Sequence, residues 1–159
     1  MEGFLKEFPD WEVLSGTPPK PGQLQKVVSN KDVYIFSGHG DGQIYLSGDE
    51  LERLRVRLVA LLFGCSSGKL SSLGRGLEPQ GTAQSYLIGT SPAMVGFLWQ
   101  VTDVDLDAFT KRFLEYWLNG KEPNLLQAVA DQRMSFKSFS NAGALVVYGL
   151  PVRVNIFDN

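Results

Sequence analysis

The side chains best suited to covalent chemistry in this sequence are a single histidine, His39, and a single cysteine, Cys65. Each lies in a glycine-rich segment, Ser37-Gly38-His39-Gly40-Asp41-Gly42 and Gly64-Cys65-Ser66-Ser67-Gly68. A cysteine thiol becomes a nucleophilic thiolate at neutral pH when an adjacent imidazole accepts its proton. Because His39 is the only imidazole available to Cys65, the two residues are candidates for the general base and the nucleophile of a thiol hydrolase.

The presence of only one cysteine and one histidine argues against disulfide and zinc chemistry. A chain with one cysteine cannot form an internal disulfide bond. One cysteine and one histidine also cannot build a conventional zinc site. We therefore expect neither a metal ion nor an organic cofactor.

The glycines that flank both residues allow two interpretations. Sharp turns let the backbone approach a substrate closely, so the N–H groups of Gly40 and Cys65 are candidates for an oxyanion hole. Alternatively, both segments are ordinary turns between a strand and a helix, with His39 hydrogen-bonded locally and Cys65 packed at a strand end. The residues alone leave both interpretations open. In either case we expect Ser66 and Ser67 to shape the turn after the cysteine.

The elements that must position these residues follow from the hydrophobic pattern. Apolar runs without polar alternation are typical of strands covered on both faces, and they occur at 33–36, 58–63, 93–99 and 145–148. Segments that resemble helices lie between them, at 22–29, 48–55, 81–89, 104–119 and 125–137. Alternating strands and helices, with connections too long for hairpins, predict parallel strands in an α/β sandwich.

His39 and Cys65 each follow one of these predicted strands at its carboxyl end. In open α/β sheets, ligands bind beyond the carboxyl ends of the strands. Two successive parallel strands would therefore deliver the imidazole and the thiol to the same edge of the sheet.

Composition places the chain among soluble globular proteins. Its 159 residues are 43% hydrophobic and 20% charged with a formal net charge of -2, which suits a single domain over residues 1–159. The sequence lacks the excess of basic residues that would indicate nucleic acid or an anionic membrane as a partner. No apolar run approaches the roughly 18 residues of a membrane span, and the N-terminus lacks the apolar core of a signal peptide. We expect an intracellular protein whose partners are proteins.

Three aspartates, Asp103, Asp105 and Asp107, open the long helix predicted after the third strand. Thr102 is predicted as its N-cap, with Asp105 at the position of a capping-box acid. Asp103 and Asp107 share one helix face, where like charges repel, so a cation facing them would make the arrangement more favourable. Trp99, at the end of the third strand, either lines a substrate pocket or packs in the core.

The chain resembles the separases, cysteine endopeptidases that open cohesin rings at anaphase. Segments 34–42 and 60–68 are similar to the histidine and cysteine motifs of that family. Segments 78–83, 98–107 and 147–152 look like later landmarks of the family in the same order. Five ordered motifs over nearly the whole chain identify it as a member of this family.

The resemblance implies a fold and an activity. The fold is a caspase-like three-layer α/β sandwich, mainly a parallel sheet with helices on both faces. The activity is cleavage after arginine in the kleisin subunit of cohesin by a dyad of Cys65 and His39. An acid at the start of the long helix would receive the substrate arginine, with Asp103 and Asp107 preferred over Asp105 and with Trp99 as a pocket wall.

The resemblance also implies partners and a cellular setting. A securin-like protein would inhibit the enzyme as a pseudosubstrate, and neither nucleic acid nor a membrane would be a direct partner. The expected location is the cytoplasm and nucleus, in association with the spindle. Full-length separases carry long helical regions as well, so we expect this chain to be the catalytic core of a larger protein.

One departure from the family pattern leaves other functions open. Family members usually carry aspartate after the tryptophan, where this chain has Gln100. Whatever that carboxylate orients is then lost or supplied by a neighbouring residue. The chain could be a related caspase-like peptidase with a different substrate, which peptide profiling would reveal. It could also be a non-catalytic or inhibitor-docking fragment of the same fold, in which a substrate-mimic thiol probe would leave Cys65 unlabelled.

Overall fold

A computed structural model describes residues 11–20, 22–72, 74–119 and 124–154. Its strands are β1 (Val33–Ser37), β2 (Val59–Phe63), β3 (Ala93–Phe97) and β4 (Leu145–Gly149). Its helices are α1 (Gln23–Val28), α2 (Gly48–Leu54), α3 (Thr82–Ile88), α4 (Asp103–Asn119), α5 (Leu125–Gln132) and α6 (Phe139–Ala144), with a 3₁₀ helix at Arg133–Ser135.

The four strands form one sheet in the order β1-β2-β3-β4. β1 pairs with β2, and β2 with β3, in parallel, whereas β4 runs antiparallel to β3. The prediction of a mainly parallel α/β sheet is confirmed. β4 is the exception to the parallel pairing: after α4, α5 and α6 the chain re-enters the sheet from the opposite end and pairs antiparallel with β3.

Helices cover both faces of this sheet. Alternate residues of each strand point to opposite sides, and apolar residues on both sides are buried against helices. On one face, Val59, Leu61 and Phe63 of β2 share a buried core with residues of α4, α5 and α6. On the other face, Ala60 and Leu62 share a second core with residues of α1, α2 and α3. The two cores make three layers, as the resemblance to a caspase-like sandwich implied.

Local sequence explains where several helices begin. Ser47 caps α2 in a capping box with Glu50, in which the backbone N–H groups of both residues find side-chain acceptors. Asn124 caps α5 by accepting a hydrogen bond from the N–H of Gln127, 2.9 Å away. Ser138 caps α6 in a similar way through Ser140. No helix in the described ranges is both long and apolar enough to cross a membrane.

The structure differs from the sequence prediction mainly beyond α4. The helix predicted over 125–137 ends at Gln132 and tightens into the 3₁₀ helix. α6 was not predicted, because its residues Phe-Ser-Asn-Ala-Gly-Ala carry no clear apolar stripe and include a glycine. Tertiary contacts of Ala142 and Ala144 with the core stabilise this short helix.

Candidate active site

His39 and Cys65 leave the sheet at equivalent positions. The last paired residues of β1 and β2 are Ser37 and Phe63, and each reactive residue lies two positions beyond its strand. The N–H of Gly38 continues the ladder by donating to the carbonyl oxygen of Phe63, at 3.3 Å. The two turns therefore start side by side at the carboxyl edge, as the sequence predicted.

The two turns touch through their backbones at Gly64. A Cβ atom at this position would lie 2.0 Å from the carbonyl oxygen of Gly40 and 2.8 Å from that of Gly38. No side chain fits at either distance, so glycine is required here by close approach rather than by its backbone angles. This contact fixes the separation between two turns: the histidine turn, residues 37–42, and the cysteine turn, residues 64–68.

The cysteine turn is also held by strands β3 and β4. The N–H of Ser66 donates to the carbonyl of Trp99 at 3.2 Å, and the N–H of Gly68 donates to that of Phe97 at 2.9 Å. The hydroxyl of Tyr148 in β4 donates to the carbonyl of Gly68, also at 2.9 Å. Ser66 itself has φ +60°, a conformation that is uncommon for residues other than glycine and that these bonds stabilise.

Ser67 lies at the centre of this turn and is almost fully buried, at 1% exposure. Its hydroxyl donates to the carbonyl of Leu62 at 2.6 Å and accepts from the N–H of Phe97 at 3.1 Å. One side chain thus links the ends of β2 and β3. The expectation that Ser66 and Ser67 shape this turn agrees with these contacts.

The thiol of Cys65 is half-buried and His39 is exposed. The Sγ atom lies 3.5 Å from the carbonyl oxygen of Val101, to which it can donate a hydrogen bond. Within the described ranges, no hydrogen bond joins the thiol to the imidazole. Hydrogen bonds between catalytic groups are often long in proteins without substrate and shorten when substrate binds.

The backbone N–H groups of Gly40 and Cys65 have no acceptor among the described residues, and the same holds for those of His39, Asp41, Gly42 and Gly64. Gly40 is exposed and has φ +72°, which only glycine adopts at little cost. The neighbouring N–H groups of Gly38, Ser66 and Gly68 are all occupied by carbonyl oxygens. The two predicted oxyanion donors are thus among several unoccupied N–H groups at this edge, and their role stays a prediction.

The three aspartates at the start of α4 have different environments. Asp103 and Asp107 are exposed, whereas Asp105 is 7% exposed. The carboxylate of Asp105 accepts a 2.6 Å hydrogen bond from the side-chain amide of Asn141, which also lies 3.4 Å from the Thr102 hydroxyl. The bond to Asp105 joins the first turn of α4 to α6.

The position of Val101 connects this acidic segment to the cysteine. Val101 contacts the thiol through its carbonyl group and lies two residues before α4. The first turn of α4 therefore begins beside the candidate nucleophile. Among the described residues, none of the three aspartates forms an ion pair with a protein cation.

Trp99 lies two residues beyond β3, with 42% of its surface exposed. Its indole N–H donates to the carbonyl of Ser140 at 3.2 Å, and its ring lies against Gly143 of α6. Its exposed side leaves it available to a ligand. Gln100, which follows it, is also exposed.

Sequence reasoning missed several residues that organise the site. Asn141 was not singled out, because a lone asparagine in a weakly helical segment gives no signal. Asp41 and Thr82 form a hydrogen bond between the histidine turn and α3, which their places in two separate motifs do not reveal. No group of three or more His, Cys, Asp or Glu side chains in the described part of the chain is placed to hold a metal ion.

Comparisons with known proteins identify relatives of this chain. The model of the family described as "Separin, protease domain" matches residues 1–106. Separin from Mus musculus is 38% identical over 144 residues, which cover 89% of this chain and 7% of that protein. Separin from Saccharomyces cerevisiae is 32% identical over 162 residues, which cover 96% of this chain and 10% of that protein.

Solved structures show the same relationship. The chain is similar to separase in a crystal structure of the Saccharomyces cerevisiae separase–securin complex, with a TM-score of 0.88 and 30% identity. The match covers 96% of this chain and 11% of that chain, so the sequence spans about a tenth of the length of these relatives. On the family model, the shared identity and the shared fold, the chain belongs to the separin protease-domain family.

Proposed function

We propose that this chain is the catalytic part of a separase-type cysteine endopeptidase, with Cys65 as nucleophile and His39 as general base. The observation that carries the proposal is the common start of the two turns at the carboxyl edge, beyond the paired residues Ser37 and Phe63. The backbone contact at Gly64 supports it further, because the contact holds both turns at a fixed distance.

The proposed reaction uses groups that this edge already presents. His39 takes the proton of the Cys65 thiol, and the thiolate attacks the carbonyl carbon of the scissile peptide bond. The N–H groups of Gly40 and Cys65 donate to the oxygen that becomes negative in the tetrahedral intermediate. The imidazolium then gives its proton to the amine that leaves, and a thioester to Cys65 remains.

Water completes the cycle. His39 takes a proton from a water molecule, whose oxygen attacks the thioester carbonyl. The second tetrahedral intermediate collapses with release of the carboxylic acid product, and the proton returns to the Cys65 sulfur. For attack to begin, the thiol must exchange its contact with the carbonyl of Val101 for one with the imidazole.

We further propose that the enzyme cleaves after arginine, in a kleisin-type protein. The start of α4 supplies carboxylates beside the nucleophile, and a carboxylate can bind a guanidinium through two parallel hydrogen bonds. Asp103 and Asp107 are exposed to an incoming side chain. Asp105 is nearly buried, and its observed partner is the neutral amide of Asn141. Trp99, exposed nearby, is proposed to line the same pocket.

A securin-like inhibitory protein is proposed as a second partner. The support is the likeness to a separase whose crystal structure contains securin. A cytoplasmic and nuclear location with spindle association is proposed on family membership alone.

Incubation with a kleisin-type peptide that contains one arginine, followed by mass spectrometry, tests the proposed activity. One expected product ends with the arginine, and the other begins with the residue that follows it. Cys65→Ser and His39→Ala should each abolish turnover while the circular dichroism spectrum stays unchanged, because both residues lie outside the buried core. Loss of a general base commonly lowers rates by about 10² to 10⁴. Unchanged cleavage by Cys65→Ser would refute the assignment.

A second candidate function is a non-catalytic or inhibitor-docking fragment. One observation favours it: the thiol contacts the carbonyl of Val101 rather than the imidazole of His39. A substrate-mimic probe that reacts with thiols separates the two functions. Labelling of Cys65 that His39→Ala abolishes supports the peptidase, whereas absence of labelling, or labelling that does not depend on His39, supports the fragment. If Cys65 is labelled but the arginine peptide is not cleaved, profiling with a peptide library would identify a related peptidase with another substrate.

A further inference from the structure

The turn that carries His39 is tied to helix α3 by a hydrogen bond between side chains. Asp41, two residues after His39, accepts a 2.5 Å hydrogen bond from the hydroxyl of Thr82 through its Oδ2 atom. Its other oxygen, Oδ1, accepts from the backbone N–H of Gln43 at 3.2 Å. The side-chain amide of Gln43 in turn donates to the Thr82 hydroxyl at 2.6 Å. The three residues form a closed network.

Thr82 is a fixed end for this network. It is the first residue of α3 and is 2% exposed. The next turn of α3 places Ala83 and Tyr86 in the core beneath the sheet, both nearly fully buried. A hydroxyl on such a residue has little freedom to move. The hydrogen bond from Thr82 to Asp41 therefore restrains the position of the histidine turn relative to the core.

The histidine turn needs such a restraint because its own residues provide little. Residues 37–40 are all exposed. Gly40 and Gly42 both have positive φ, at 72° and 80°, and glycine has the largest conformational freedom of any residue. The turn is otherwise connected to the fold by the backbone contact at Gly64 and by the hydrogen bond from Gly38 to Phe63, and the Asp41 network is its described side-chain connection to α3.

We propose that Asp41 and Thr82 are positioning residues that hold the histidine turn so that the His39 imidazole faces the Cys65 thiol. This inference rests on the proposed function, because it assigns a purpose to the network only if His39 acts on Cys65. Neither residue touches the reacting atoms. A hydroxyl donating to a carboxylate is among the stronger neutral-to-charged hydrogen bonds, and small displacements of a catalytic group can lower rates about a hundredfold.

The test compares Thr82→Val with Thr82→Ser. Valine keeps the shape of threonine but cannot donate to Asp41, whereas serine keeps the hydroxyl. For cleavage of the arginine peptide, we expect Thr82→Val to lower kcat by roughly 10- to 100-fold, with KM changed by less than about threefold. Thr82→Ser should recover kcat to within about threefold of the wild type. Asp41→Asn should resemble Thr82→Val, and the double variant should be no worse than either single variant.

A matched control is Thr110→Val, which removes a buried hydroxyl that bonds within α4, to the carbonyl of Leu106. This variant should keep the wild-type kcat. The second readout is alkylation of Cys65 by iodoacetamide over a range of pH. Thr82→Val should slow alkylation at neutral pH, where the imidazole must take the proton, and should match the wild type above about pH 9.5, where a free thiol ionises unaided.

The results separate this inference from the proposed function. If His39→Ala leaves cleavage and alkylation unchanged, the proposed function fails and the inference fails with it. If His39→Ala abolishes cleavage but Thr82→Val keeps the wild-type kcat, only the inference is overturned. A kcat for Thr82→Ser as low as that of Thr82→Val would also overturn it, because the hydroxyl would then not be the group that matters.

Discussion

The backbone of Gly64 lies against that of Gly40 so closely that a Cβ atom on Gly64 would stand 2.0 Å from the Gly40 carbonyl oxygen. An added Cβ atom has a fixed position on its own backbone, and the oxygen that it would meet belongs to the backbone of Gly40. Neither atom can move away by a side-chain rotation. The residue before the proposed nucleophile and the residue after the proposed base thus determine how near the two turns approach.

Gly64→Ala should separate the two turns. Because the added methyl group meets backbone atoms, we expect a loss of about 1 to 3 kcal/mol in the free energy of unfolding and a fall in kcat of at least tenfold. Chemical denaturation and cleavage of the arginine peptide measure the two effects. Gly143→Ala is the control, since its Cβ would make only ordinary contacts with Trp99 at 3.6 Å. Wild-type stability and kcat in Gly64→Ala would show that the turns are not spaced by this contact.

Ser67→Ala should loosen the cysteine turn. The buried carbonyl of Leu62 and the N–H of Phe97 would both lose their side-chain partner, and unsatisfied buried groups of this kind cost about 1 to 3 kcal/mol. Urea denaturation measures the loss. Ser72→Ala, which removes an exposed hydroxyl bonded to Gly74, should change stability by less than about 0.5 kcal/mol. Equal stabilities of the two variants would contradict the bridging role of Ser67.

The strands and the candidate dyad could be predicted because their signals are local in sequence. β2, for example, is a continuous apolar run that is fully buried from Val59 to Phe63, and a run of this kind suits a strand covered on both faces. His39 and Cys65 are each unique and stand at strand ends. Parallel pairing of β1 with β2 is enough to bring their turns together.

The remaining structure depends on contacts between residues far apart in the chain. The antiparallel direction of β4 follows from how α4, α5 and α6 pack on the sheet, which no single segment encodes. The hydrogen bond between Asp41 and Thr82 joins residues 41 positions apart, and that between Asp105 and Asn141 joins residues 36 positions apart. Their amino-acid types are common in turns and helix caps, so no periodic pattern distinguishes them.

Tyr34→Phe should make the protein less sensitive to alkali. Burial, and then the nearby Tyr45, raise the pKa of Tyr34 to about 12, against about 10 for a tyrosine in an unfolded chain. Between these two pH values the unfolded chain releases this proton and the folded protein keeps it. The resulting stability is complete below about pH 10 and is lost as pH rises toward 12, by up to about 3 kcal/mol.

The measurement is the free energy of unfolding at several pH values from 9 upward. The wild type should lose stability more steeply than Tyr34→Phe. Tyr116→Phe is a control, because Tyr116 is exposed and its pKa is raised chiefly by a hydrogen bond to Asp131. Its alkaline slope should fall less below that of the wild type than the slope of Tyr34→Phe does, because water screens the interactions of an exposed group. Identical slopes for Tyr34→Phe and the wild type would show that Tyr34 is not the group responsible.

Asn141→Asp should destabilise the start of α4. It replaces the amide that donates to Asp105 at 2.6 Å by a second carboxylate, and two adjacent like charges disfavour the folded state. The exchange Asp105→Asn with Asn141→Asp restores one carboxylate and one amide, so its melting temperature should exceed that of Asn141→Asp alone. Failure of this rescue would show that the pair does not connect α4 to α6.

The last prediction concerns the acid that we propose to receive a substrate arginine. The carbonyl of Val101 contacts the Cys65 thiol, and α4 begins two residues later with Asp103. We therefore expect a substrate side chain next to the scissile bond to reach the first turn of α4. Arginine should be cleaved faster than lysine, because its planar fork can pair with a carboxylate through two bonds whereas an ammonium is a point charge.

Neutralising the acid that binds arginine should remove this preference without harming the nucleophile. Asp103→Asn or Asp107→Asn should lower kcat/KM for the arginine peptide by at least tenfold, while the rate of Cys65 alkylation by iodoacetamide stays within twofold. Asp105→Asn serves as the comparison, since its carboxylate already accepts from Asn141 and its loss should mainly weaken the start of the helix. If Asp103→Asn and Asp107→Asn both keep the preference for arginine and Asp105→Asn loses it, the specificity acid is the nearly buried one. If all three variants keep the preference, the acids stabilise only the N-terminus of α4 and arginine is recognised by other residues.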